Sequence, residues 1–262
     1  MNLTDYSTLY TDLSLWMDRY IKEFERQYPG CIDRFDLKKT HSLLVAREIA
    51  DLATAVGLEA GDRVLSQITG LLHDVGRFQQ AACYHTFNDD VSVDHGDFGV
   101  KIIGESGLLV SLSPEDRNAV ETAIRYHNKP ELPTLEDPRC RLLAQLLRDA
   151  DKVDIFRVIH GNLQIQNPGD TTLPLGKDIS AEVMDAITQN RIVYHRHIKN
   201  RIDKVFFRIS WLFDINFPQT LKLIRERGYY QILRARVPET EAIVRALASV
   251  DRYCDSRLSI ID

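Results

Sequence analysis

Apolar residues along this chain recur at intervals of three and four, the period of a helix with one buried face, and not in the alternation of a strand. Leu44, Val45, Ile49, Leu52 and Val56 form one such series, closed by Gly57 in the position of a C-cap. That helix carries His41 near its start. Val64, Leu65, Ile68, Leu71, Leu72 and Val75 predict a second helix from Gly61 to Val75 that stops at Gly76, with His73 and Asp74 on its last turn. A polar loop from Cys83 to Asp94 follows, and His95 opens a shorter helix with Phe98, Ile102 and Ile103 on one side. Ser113, Pro114, Glu115 and Asp116 supply an N-cap, a first-turn proline and acids matched to the helix dipole, starting a helix that runs to His127. Pro130, Pro133 and Pro138 mark a loop, after which Leu142, Leu143, Leu146, Leu147 and Ala150 stripe a helix bearing Asp151.

The segment from Asn167 to Lys177, with two prolines and two glycines, reads as a loop or lid. Helical patterns resume at Ser180, and Phe206, Phe207, Ile209, Trp211, Leu212 and Phe213 form the most apolar part of the C-terminal half. There is no internal repeat and no convincing strand pattern, so the expected fold is all-α: one helical unit over residues 1–262.

Composition narrows the function. Hydrophobic residues make up 44% and charged residues 27%, enough for a core and a solvated surface. No stretch reaches the roughly 18 apolar residues of a membrane span, and no basic, then apolar leader opens the chain, so a cytoplasmic protein without membrane contact is expected. Cys31, Cys83, Cys140 and Cys254 lie far apart without a C-x-x-C pair, which suits reduced thiols. A net charge of -5 argues against stable nucleic-acid binding. The charge is uneven, since residues 190–236 carry eleven Lys or Arg against three acids, a stretch that could draw an anionic ligand. Whether the chain forms homo-oligomers is left open.

The informative chemistry is a series. His41, the His73-Asp74 pair, His95, His127 and Asp151 fall on different predicted helices, mostly near their ends, and helix ends that face one cleft can make a metal site. Imidazoles and carboxylates suit one or two divalent ions such as manganese, iron, zinc, cobalt or nickel. Two ions less two carboxylates leave about +2, a match for a phosphate dianion. His85, ten residues before His95, competes with it for a place in the set, and His95 is preferred. Asn88, Asp89 and Asp90 read as a polar turn outside the site. His195 and His197 are two apart, so on a helix they do not share a face and read as surface residues.

The order His, His-Asp, His, His, Asp resembles the HD superfamily, and His73-Asp74-Val75-Gly76-Arg77 resembles its His-Asp-x-Gly-Lys/Arg motif, over roughly residues 38 to 160. The resemblance implies an HD-domain helical core at 38–160 with additional C-terminal helices, 178–262, packed on it. Carried over, His41, His73, Asp74 and Asp151 correspond to the family's minimal ligand set, with Asp74 able to bridge two ions, and His95 and His127 match the extra pair of its dinuclear branch. The implied activity is a metal-dependent phosphohydrolase cleaving a phosphoester or phosphoanhydride of a nucleotide-like small molecule. Asp74 and Arg77 would be catalytic, and Arg77 with the weaker candidate Lys129 would meet phosphate oxygens. Arg77-Phe78 stands where the family's guanosine tetraphosphate hydrolases carry an acidic pair, and no Gly-Tyr-Pro triplet follows, so those two activities are not expected. Two alternatives stand beside hydrolysis: a mixed-valence di-iron oxygenase of the same superfamily, and a non-catalytic metal-binding module signalling through the basic C-terminal helices.

Overall fold

The computed structural model describes residues 2–164 and 173–261, and every regular element among them is helical. Most of the segment expected as a lid, from Asn167 to Thr172, lies outside the described residues. The chain clusters into two compact units, Met1–Asp154 and Ile155–Asp262.

In the first unit, α1 (Leu3–Gln27) starts with a reciprocal cap: the Asn2 side chain accepts from the Asp5 amide and the Asp5 carboxylate accepts from the Asn2 amide, each at 3.0 Å. It buries Tyr6, Leu13, Met17 and Ile21, spaced by sevens and fours as one helix face requires. Tyr6 donates to the Asp116 carboxylate at 2.5 Å, and Arg139 reaches the other oxygen of the same carboxylate, which ties α1 to later helices. The long helix α2 (Ile32–Ala55) ends as its sequence predicts, with Gly57 left-handed at φ 82° just beyond it. It begins well before the apolar series, however, so His41 sits in mid-helix rather than near the start.

Helix α2 lies along α3 (Ala60–Leu72) at close range, because Gly70 has no Cβ; one there would stand 2.9 Å from the Ala46 backbone. A second departure falls at Gly76. It does not cap α3: the chain breaks at His73-Asp74, and a new helix, α4 (Val75–Tyr84), begins at once. The glycine serves close approach instead, since a Cβ on it would lie 2.5 Å from the His95 carbonyl and 3.0 Å from the Gly99 amide of α5 (His95–Glu105). Asp94 caps α5 through the Asp97 amide, and Ser113 caps α6 (Pro114–Tyr126) through the Asp116 amide. Last, α7 (Pro138–Gln164), which belongs to this unit as far as Asp154, buries Leu143, Leu146, Leu147 and Ala150 as expected.

The second unit comprises α8 (Ala181–Thr188), α9 (Arg201–Ile209), α10 (Pro218–Glu226), α11 (Tyr229–Arg234) and α12 (Glu241–Leu258). Val183, Ile187, Phe206, Ile209, Leu212, Ile243 and Val250 form its core. Four of the eleven cations of the basic stretch pair inside this unit: Arg191, Lys199, Arg225 and Arg234 with Asp185, Glu182, Asp255 and Asp251. His195 and His197 lie in a short 3-10 turn, not on an α-helix, His195 exposed and His197 half-buried. No described helix is long and apolar enough to cross a membrane. All four cysteines are free thiols.

Candidate metal centre

Six side chains from different helices meet in the first unit. His41 comes from α2, His73 and Asp74 from the break between α3 and α4, His95 from the first residue of α5, His127 from the end of α6, and Asp151 from α7. His73, Asp74, His95 and His127 stand at helix ends, while His41 and Asp151 project from mid-helix.

Asp74 divides the cluster. Its Oδ2 lies 3.5 Å from Nε2 of both His41 and His73, while its Oδ1 lies 3.4 Å from Nε2 of His95 and 3.8 Å from Nε2 of His127. Asp151 completes the first half, with Oδ1 at 3.0 Å from His41 Nε2 and 3.9 Å from His73 Nε2. His41, His73 and Asp151 form one group whose ligand atoms lie within 4.8 Å of one another, and His73, Asp74 and His127 form another.

The outer ring nitrogens decide what the inner ones do. Nδ1 of His41 faces the Asp154 carboxylate at 2.6 Å, Nδ1 of His73 the Gly70 carbonyl at 2.8 Å, Nδ1 of His95 the Asp89 carboxylate at 2.5 Å, and Nδ1 of His127 the Ile124 carbonyl at 2.7 Å. Each partner is an acceptor, so each Nδ1 carries the proton, and in a neutral ring the Nε2 lone pair then points inward. The inner nitrogens come in pairs, His41 with His73 at 3.2 Å and His95 with His127 at 3.0 Å. A proton on His41 Nε2 bridges the first pair, whereas in the second pair, with each proton on the outer Nδ1, opposed lone pairs at that distance beside a buried carboxylate are electrostatically unfavourable unless positive charge lies among them. The donor set therefore fits divalent cations on a physical argument internal to the cluster.

The titration behaviour agrees. Burial works against a charge on His41, but hydrogen bonds to Asp151 and Asp154 overcome it and push its pKa up to about 9. Burial pushes His73 down and His95 down to about 4, which keeps both rings neutral. For Asp74 burial would favour the neutral acid, yet Lys38 and His73 hold it well below the usual carboxylate range. Asp151 is likewise lowered against its burial, chiefly by His41.

Several neighbours escaped the sequence reading. Lys38 places Nζ 2.6 Å from Asp74 Oδ2. Spaced by three from His41, it shares that residue's helix face, and Asp154 is spaced by three from Asp151 in the same way; this periodicity could have found both. Asp89 belongs to the site's immediate surroundings through His95, although the polar turn was set aside. Arg148 of α7 donates to the carbonyls of Tyr126, His127, Lys129 and Pro130, fixing the loop that follows His127. A single buried arginine in a leucine-rich stripe was the available signal.

Arg77 donates through one terminal nitrogen to Asp89 and Gln80 at 2.7 Å and to the Phe87 carbonyl at 2.6 Å. Its Nε is buried without a hydrogen-bond partner, 3.6 Å from Asp74 Oδ1. Lys129 is paired with Asp94 and, at 2.8 Å, with Asp97. His85 stands apart from the cluster as the left-handed residue that ends α4, its Nδ1 3.9 Å from Cys31 Sγ. Phe78 is fully buried in the core, and the Phe87 ring is flanked by Lys38 and Arg77.

Residues 39–155 match the family model described as HD domain. Comparison with curated proteins and with solved structures finds no match to the chain.

Proposed function

We propose, from the premise that residues 39–155 of this chain are an HD domain, that the protein is a metal-dependent phosphohydrolase acting on a small phosphoester or phosphoanhydride, nucleotide-like in character. The observation that carries this reading is the convergence of four imidazole Nε2 atoms around the two oxygens of Asp74. His41, His73, Asp151 and Asp74 Oδ2 would hold one divalent ion, and His95, His127 and Asp74 Oδ1 a second. Such ions supply Lewis-acid polarisation of a phosphoryl oxygen and a water acidic enough to act as nucleophile near neutral pH.

The remaining roles fall to the chain's own side chains. Asp74 separates the two halves and neutralises charge between them. Lys38 and Arg77, both beside Asp74, bring two cations to the position a phosphate would occupy, and the Nε–H of Arg77, 3.6 Å from Asp74 Oδ1, makes no hydrogen bond within the chain. Lys129, tied to Asp94 and Asp97, is the weaker phosphate contact of the three.

The test is a phosphate-release screen over mononucleotides, dinucleotides and non-nucleotide phosphoesters with manganese, iron, cobalt, nickel or zinc. Asp74→Asn should lose metal and turnover together, whereas Arg77→Ala should keep metal and lose turnover. Retention of both metal and activity by Asp74→Asn would overturn the assignment. Full metal loading without turnover of any phosphoester would point instead to a binding module, and oxygen consumption with a mixed-valence iron signal to an oxygenase.

A further inference from the structure

The carboxylate of Asp89 is saturated in an unusual way. Its Oδ1 accepts from Arg77 at 2.7 Å and from Gln80 Nε2 at 2.9 Å; its Oδ2 accepts from His95 Nδ1 at 2.5 Å and from Asn128 Nδ2 at 3.0 Å. Those four donors come from three places: Arg77 and Gln80 from α4, His95 from the start of α5, and Asn128 from the loop beside His127. Asp89 itself lies in the 3-10 turn Asp89–Val91, between α4 and α5.

We propose that Asp89 is a positioning residue that couples the His95/His127 half of the metal centre to the phosphate-facing guanidinium of Arg77. This rests on the phosphohydrolase reading and deepens it. One oxygen fixes the His95 tautomer, so that Nε2 faces Asp74, and the other holds one terminal nitrogen of Arg77. Arg77 Nε is thereby left turned toward Asp74 Oδ1, the oxygen that faces the same half of the cluster. The other half has its own arrangement, Asp154 on His41 and the Gly70 carbonyl on His73, and does not depend on Asp89.

That asymmetry gives the test. Manganese titrated into the full-length chain and followed by electron paramagnetic resonance should show two equivalents bound. In Asp89→Ala the first should keep its affinity within about threefold, while the second weakens by roughly 10- to 100-fold. A residue that merely held its loop in place would weaken both equivalents together or neither, and either result overturns the proposal. The wild-type chain provides a second readout that needs no variant: nitrogen-detected NMR of the histidines should find the His95 proton on Nδ1, and a proton on Nε2 would overturn the proposal equally. Failure of the underlying reading looks different, because the wild-type chain would then bind no manganese at the cluster.

Discussion

Nζ of Lys38 lies 2.6 Å from Oδ2 of Asp74, the same oxygen that faces His41 and His73. An ammonium group there repels a divalent cation and attracts a phosphate, so its removal should move the two affinities in opposite directions. Lys38→Met should tighten divalent metal binding by about 1 kcal/mol, roughly fivefold, and raise KM for the phosphoester. Metal titration and steady-state kinetics on one preparation check both. A parallel loss of metal and substrate affinity would mean that Lys38 holds the cluster together instead.

His41 makes metal binding sensitive to pH. Its pKa is pushed up to about 9 by Asp151 and Asp154 against the effect of burial, so near neutrality its Nε2 is protonated. A metal ion must displace that proton, and apparent affinity should rise by about tenfold per pH unit up to about 9 and then level off. Competition with a chelator of known affinity across this range reads the slope. A flat profile between neutrality and pH 9 would contradict the assignment of His41 as a ligand.

Gly76 is required by backbone contact rather than by a turn. Gly76→Ala would press a methyl group against the His95 carbonyl and the Gly99 amide, backbone atoms that cannot swing aside. The expected cost is about 2–3 kcal/mol in chemical denaturation. Because the displaced residue is a ligand candidate, metal affinity should fall as well. An unchanged midpoint would show that α4 and α5 are farther apart than described.

Much of this was legible beforehand, and the residues show why. The helix start at Ser113-Pro114, with its strong local signal, was readable because capping is chemistry between near neighbours. The six ligand candidates were legible through the order His, His-Asp, His, His, Asp, four of them at helix ends and His41 and Asp151 in mid-helix. The break at His73-Asp74 was not readable, since Gly76 looks the same whether it ends a helix or lets another backbone approach, and only the position of α5 decides between them. Asp89 was hidden for a related reason: its partners, Arg77, His95 and Asn128, are brought together by folding.

Asp116 anchors α1 and sets an acid limit on stability. Burial would raise its pKa, but hydrogen bonds from Tyr6 and Arg139 hold it below the usual carboxylate range. A carboxyl group depressed in the folded state contributes stability above its unfolded pKa of about 3.9, and that contribution is lost as pH falls toward the folded value. Asp116→Asn should cost about 1.5–3 kcal/mol at pH 7 and flatten the loss of stability below about pH 4. Urea melts of both proteins across that range provide the check, and parallel pH profiles would rule out the linkage.

The account stands on a cluster built to hold cations, and anomalous diffraction from crystals soaked in manganese tests it most directly. The predicted map has one peak among Asp74 Oδ2, His41, His73 and Asp151 and a second among Asp74 Oδ1, His95 and His127. A map with no peak at any of these side chains, in crystals exposed to excess metal, would contradict it.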